Sequence, residues 1–305
     1  MCSAGGCTEI LRGLQLPNLQ RLLRRLGVEA TDEGGAESLS PPHERAVARA
    51  WGLEPAEGLV PLAALQVRQS GTGTGTEGWA WISPSHWRVG RDHIVMAHTQ
   101  ELQLDAEDSQ ALLEAMKPYF EEDGITLAYD APLRWLARGE IFRTLPTASL
   151  DRVMGRTIDG WLPAGDAARP VRRLQQEMQM LLYTLPLNDA RQRGGLLPVN
   201  SFWVSATGAL PGDDLPRSDG NLQVTPYLRD AALLGDWRAW AAAWQRLDGR
   251  ECARLLAEHE RGGPVRITLC GEAAARTWSS AATTGWQRVR GLFASSSPAE
   301  LLEGL

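Results

Sequence analysis

Three side chains suited to acid–base or nucleophilic chemistry, Ser40, His43 and Glu44, fall within five residues in the segment SLSPPHERA. Pro41 and Pro42 mark a helix start there with Ser40 as N-cap, and helix N-termini attract anions. A phosphate-bearing ligand would suit this trio, whereas a capping box with His43 or Glu44 facing solvent explains the same residues without one. A second cluster, ASLDRVMGR, sets Asp151, Arg152 and Arg156 within six residues. Guanidinium groups hold phosphates and carboxylates through paired hydrogen bonds, so this segment reads either as an anion clamp or as an Asp–Arg pair fixing a junction. A third, LPLNDARQRGGLLPVNSFWVS, carries Asn188, Asp189, Asn200 and Ser201 around an expected strand end. Ligands in α/β proteins bind at such ends, although turn chemistry also accounts for the asparagines.

No sequence motif names a cofactor. The chain lacks zinc-protease spacing, a nucleophile elbow, a dinucleotide fingerprint and a phosphate loop. Its five histidines, His43, His86, His93, His98 and His259, form no helical metal-ligand pair. Asp92, His93 and His98 are the nearest thing to a metal set, but on a strand Asp92 and His93 point to opposite faces. Cys2, Cys7, Cys252 and Cys270 are too scattered for a disulfide framework and read as reduced structural thiols. A formal net charge of −6 and a pI near 5.5 argue against nucleic acid as the partner. The basic side chains other than Lys117 are all arginine, which coding bias explains.

The elements that must position these groups follow from periodicity. LPNLQRLLRRLG places Leu16, Leu19, Leu22, Leu23 and Leu26 at helical spacing, with Pro17 in the first turn and Gly27 as terminator, and a loop follows at TDEGGAE. SLSPPHERAVARAWGL predicts a second helix, and the low-complexity run SGTGTGTEG a flexible linker. WAWISPSHWRVGRDHIVMA reads as two strands, DAEDSQALLEAMKPYFEEDG as a helix from Asp105 to Gly124, and ITLAYDAPLRWLARG as one or two more strands. VRRLQQEMQMLLYTLPLN is a helix stopping near Pro186, and LLPVNSFWVSATG a buried strand. A helix over Arg229–Leu247 carries a core-facing stripe of Trp237, Trp240 and Trp244. GPVRITLCGEA is a short strand, and a mostly helical tail is expected from Thr284 to Leu305. With 305 residues of globular composition, the expectation is an α/β core formed by residues 1–78 and 146–305, interrupted by an α+β subdomain over 79–145. No apolar run is long enough to span a bilayer and the first residues lack signal-peptide features, so the expected location is the cytoplasm and no membrane partner is expected.

LSPPHERAVARAWGL, LPTASLDRVMGR, RRLQQEMQMLLYTLPLND and LLPVNSFWVSATG together resemble a family of bacterial phosphoglycerate mutase-like, RpfE-type regulatory proteins. More distantly, LPNLQRLLRRLG is similar to the TPNLDRLA-type helix of cofactor-independent phosphoglycerate mutases and the alkaline phosphatase superfamily. LPVNSFWVSATG is similar to a strand of the archaeal-type mutases. The resemblance implies a three-layer α/β sandwich with a small inserted domain, two divalent metals held by aspartates and histidines, and a serine or threonine that accepts the phosphoryl group. Ser40 falls at about that acceptor's position. The metal ligands have no counterparts: no Asp precedes Asp32, and His259 is the lone histidine of the C-terminal half. The resemblance therefore implies a catalytically degenerate protein, without metal or cofactor, that regulates or binds through a retained anion pocket. Ser40, His43, Glu44, Asp151, Arg152, Arg156, Asn188, Asn200 and Ser201 are the candidates for that pocket, with a phosphorylated or other anionic small molecule as ligand. Two alternatives stay open: an active metal-dependent mutase or phosphotransferase using Asp92, His93 and His98, and a structural protein whose tryptophan-rich subdomain docks a protein partner.

Overall fold

A computed structural model describes residues 10, 13–212, 222–282, 302 and 305. The chain divides into two compact units, Met1–Glu37 with Leu222–Leu305, and Ser38–Asn221. These boundaries differ from the breaks expected at 78/79 and 145/146. The reason is strand pairing: the strand opening the expected subdomain is hydrogen-bonded to the strand at 201–208, so 79–145 shares one sheet with later sequence.

The first unit begins with α1 (Pro17–Arg25) and β1 (Gly27–Glu33). Leu19 and Leu22 supply the buried face of α1, and Arg24 and Arg25 sit in its last turn, where cations complement the helix dipole. The expected TDEGGAE loop begins later than predicted, since Thr31, Asp32 and Glu33 still pair in a sheet.

The second unit contains α2 (Pro42–Ala50), α3 (Leu62–Ser70), β2 (Trp79–Ser85), β3 (Trp87–Val89), β4 (Ile94–Met96), α4 (Ala106–Glu122), β5 (Thr126–Ala131) and β6 (Arg134–Arg138). It continues with α5 (Leu150–Val153), α6 (Arg169–Tyr183), α7 (Pro186–Arg193) and β7 (Ser201–Gly208). Asp105 caps α4 by accepting from Asp108 N at 2.8 Å, and Gly124, at φ 71°, closes it as predicted. Four strands form a sheet in the order β5-β6-β2-β7, and β3 and β4 make a separate hairpin. Helices cover both faces of the four-stranded sheet. Ala80, Ile82, Phe202 and Val204 pack with α4 and α6 residues such as Phe120, Leu174 and Met178. By strand alternation Trp81 points the other way, where its indole N–H donates to Gln66 of α3 at 2.8 Å.

The SGTGTGTEG run is no loose linker. Gly75 O accepts from Leu210 N at 2.8 Å, and a Cβ on Gly75 would stand 2.6 Å from Ala64 O. Glycine is there for close approach rather than for flexibility.

The chain then returns to the first unit with α8 (Tyr227–Leu233), α9 (Trp237–Leu247), α10 (Ala253–Glu260), β8 (Arg266–Cys270) and β9 (Ala274–Ser279). The single helix expected over 229–247 is two, because Gly235 takes φ 66° and Asp236 caps a fresh start on Ala239 N at 2.8 Å. The tryptophan stripe is core, as predicted: Trp240 and Trp244 are buried with Leu19, Leu22 and Trp278. The sheet order is β1-β9-β8. The helix expected over 284–305 lies outside the described residues apart from Leu302 and Leu305, as do Cys2 and Cys7.

The molecule is thus a mixed α and β protein. All pairings between named strands among the described residues are antiparallel. β5 and β6 form a hairpin, and β2 pairs antiparallel with both β6 and β7. No helix among the described residues is long and apolar enough to cross a membrane.

Candidate functional site

The site is built from β7 outward. A register shift in the β2–β7 pairing coincides with Ala206 at φ 55°, a left-handed conformation seldom taken outside glycine. Such a bulge re-aims the side chains around it. Thr207, fully buried, shares its hydroxyl hydrogen between Leu145 O at 2.7 Å and Gly58 O at 3.2 Å. It thereby ties together the two loops on which the polar cluster rests, and Thr147 N donates to Gly58 O at 2.9 Å.

Gly58 N in turn donates to Ser40 Oγ at 2.9 Å, and Ser40 is only 2% exposed. Ser40 is therefore not the N-cap of α2. Pro41 holds that position, with no side-chain cap, and the expected capping box does not form because the Ser40 hydroxyl is engaged 18 residues downstream. Around it lies a polar network, running from buried Ser38 and Arg45 out to exposed Glu57, that sequence reading did not single out. Arg45 donates to Ser38 Oγ at 2.9 Å and to Ser40 O. Ser38 Oγ also lies 3.0 Å from both Glu57 carboxylate oxygens, while Leu39 N donates to Glu57. Arg45 stands next to the predicted trio in sequence, but nothing local marks Glu57 or Thr207, whose partners are distant.

Two predicted clusters do converge. His43 and Glu44, in the first turn of α2, face Ser149 and Asp151 on the segment that opens α5. His43 Nε2 lies 3.1 Å from Asp151 Oδ2, and Ser149 Oγ donates to Glu44 Oε1 at 2.5 Å. Ser149 also accepts from Asp151 N at 3.3 Å, the N-cap of α5. The carboxylate of Asp151 is 3% exposed and the imidazole 31% exposed. A buried acid thus fixes the orientation of a ring that reaches solvent, with Nδ1 on the side away from the acid.

Arg152 is buried, and its Nε donates to Ser38 O at 2.8 Å. The anion clamp expected of ASLDRVMGR is correspondingly altered: one guanidinium is committed to a main-chain carbonyl, while Arg156 is exposed on the loop whose carbonyl accepts from Met96 N at 3.1 Å. The remaining candidates lie apart from the cluster and hold strands. Asn188 Nδ2 donates to Leu182 O and Val199 O at 2.8 and 2.7 Å, and its Oδ1 accepts from Val199 N at 2.9 Å. Asn200 exchanges two hydrogen bonds with the Trp87 backbone, at 2.7 and 2.9 Å. Ser201 is fully buried at the start of β7, opposite Ser85.

The residues do not fit a metal centre. Among the described residues no group of three His, Cys, Asp or Glu side chains is placed to hold an ion. Asp92 and His93 are exposed around the β3–β4 turn, and His98 follows β4 at the start of another turn.

No family model matches the chain, and no curated protein does. Among solved structures it is similar to a cofactor-independent phosphoglycerate mutase from Thermoplasma acidophilum DSM 1728, at 13% identity over 88% of this chain and 83% of that one, with a TM-score of 0.38. It is also similar to the PH0037 protein of Pyrococcus horikoshii, at 12% identity over 88% of this chain and 81% of that one, with a TM-score of 0.42. At these scores the function is argued from the site's own residues.

Proposed function

We propose that this is a catalytically degenerate, RpfE-type regulatory protein that binds a small anionic, phosphorylated molecule at the His43 face of the Ser40–Asp151 cluster. One observation carries the reading. Ser40, which the sequence resemblance puts at about the phosphoryl acceptor's position, is buried with its hydroxyl bonded to Gly58 N, so it has no access to a substrate. A serine nucleophile needs both exposure and an activating base or metal, and the described residues supply neither at Ser40. His43 is a polar group of the cluster that reaches solvent, as Glu44 and Glu57 also do, and Asp151 holds its ring in place. In this role the imidazole donates to one oxygen of the ligand, and Asp151 balances its charge.

The test is calorimetric titration of the full chain with inorganic phosphate and with a small phosphorylated acid. Saturable binding weakened about tenfold or more by His43→Ala supports the reading, because a charged hydrogen bond contributes about 1.5–3 kcal/mol. Absence of binding overturns it.

A second reading, that the cluster is a structural hub of a protein that docks a partner, is favoured by how much of the cluster is spent internally. Ser40, Arg45 and Arg152 each bond to neighbouring main chain. An unaltered phosphate isotherm in His43→Ala would favour that reading.

A further inference from the structure

We infer that His43 is a nucleophilic imidazole that accepts a phosphoryl group at Nδ1, with Asp151 as its positioning residue. The inference rests on the anion-binding reading and deepens it: the phosphorylated molecule would act as a donor, and the acceptor would be nitrogen rather than the buried Ser40 hydroxyl.

The argument begins with the tautomer. In neutral imidazole one nitrogen carries the proton and the other a lone pair, and the hydrogen bond made by one decides the state of the other. Asp151 lies 3.1 Å from Nε2 and is buried, so in the neutral ring the proton sits on Nε2 and the lone pair on Nδ1, whereas the cationic ring that donates to a bound anion carries a proton on both nitrogens. Nδ1 has no hydrogen-bond partner among the described residues. The ring is held in place because α2 and the α5 segment are stitched together twice, through His43 with Asp151 and through Glu44 with Ser149. Every other hydroxyl of the cluster is occupied: Ser38 with Ser40 O and Glu57, Ser40 with Gly58 N, and Ser149 with Glu44. His86, by contrast, spends Nδ1 on Pro198 O at 2.8 Å, and His93 stands on an exposed turn with no acid paired to it among the described residues.

The step balances without metal or redox partner. With a phosphoramidate or acyl phosphate as donor, the Nδ1 lone pair forms the new N–P bond while the P–N or P–O bond of the donor breaks. The leaving group, ammonia from a donor already protonated on its nitrogen or a carboxylate from an acyl phosphate, takes that electron pair. The Nε2 proton stays between the ring and Asp151, whose negative charge stabilises the positive charge gathering on the ring as the bond forms.

The experiment incubates the full chain with potassium phosphoramidate and maps acid-labile, alkali-stable phosphorylation by peptide mass spectrometry. His43 is expected to be modified faster than His86, His93, His98 and His259, which serve as internal controls in the same sample. Asp151→Asn should slow His43 labelling about tenfold at saturating donor, a typical cost of losing an orienting carboxylate. Asp151→Glu, which keeps the charge, should restore part of it. If Asp151→Asn fails to fold, the comparison of His43 with His93 in the unaltered protein still decides. Phosphate binding in the calorimeter with His43 labelled no faster than His93 would overturn this inference and leave the binding reading standing. Neither binding nor labelling would overturn both.

Discussion

Each unit of the molecule buries one conspicuous aspartate, and the two do different things. Asp248, 4% exposed, lies in the single π-turn Asp248–Cys252 between α9 and α10. It accepts from Leu19 N at 2.7 Å, from Asn18 N at 3.3 Å and from Asn18 Nδ2 at 3.2 Å. Those main-chain groups belong to the first turn of α1, which has no side-chain cap of its own, so a carboxylate from 229 residues away caps it. Asp151 is equally buried, but one of its partners is an imidazole that reaches solvent. Burial alone does not separate a structural acid from a functional one; the exposure of its partner does.

The largest effect that would sharpen this contrast is Asp248→Ala. It leaves buried N–H groups without an acceptor and should lower stability by about 2–4 kcal/mol, read as a fall in the urea midpoint with no change in phosphate affinity. His43→Ala should reverse that pattern, costing about 1 kcal/mol of stability while removing most of the binding. If both variants lose stability alike and binding not at all, the two aspartates are the same kind of residue and the contrast fails.

Ser40→Ala should cost about 1 kcal/mol, because Gly58 N loses its acceptor, and leave phosphate binding intact. Loss of binding without loss of stability would return Ser40 to the ligand.

The smallest effect concerns Cys252, whose thiol is pushed up to about 12, first by burial and then by the negative charges of Asp248 and Glu251. The folded protein therefore holds this proton where the unfolded chain releases it. The stability it contributes is fully present below about pH 9 and is lost as pH rises toward 12. Cys252→Ala should flatten the alkaline limb of the stability profile. In the native protein at pH 8, iodoacetamide should modify exposed Cys270 well before Cys252, as peptide mapping would show.

Much of the second unit was legible in the sequence because its signals are local. Asp105 and Gly124 bracket α4, the heptad-like spacing of Val171, Leu174 and Met178 gives α6, and the tryptophan stripe is core. What failed was long-range. Nothing in SGTGTGTEG shows that Gly75 lies against Ala64, and nothing local shows that β2 pairs with β7, which is why the unit boundaries moved. The candidate site divides the same way. SPPHER and ASLDR were both visible, but their meeting through His43 and Asp151 is tertiary. Asn188 and Asn200 looked like ligand groups because a side-chain amide that pins a backbone has the same local signature as one that holds a ligand.

The most direct test of the central claim, that Ser40 has no phosphoryl chemistry and no metal to drive it, is metal content by mass spectrometry on protein purified without chelators. It is paired with a manganese-supplemented assay for mutase and phosphatase turnover. The account predicts no stoichiometric metal and no turnover. Stoichiometric manganese or zinc together with turnover that Ser40→Ala abolishes would contradict it.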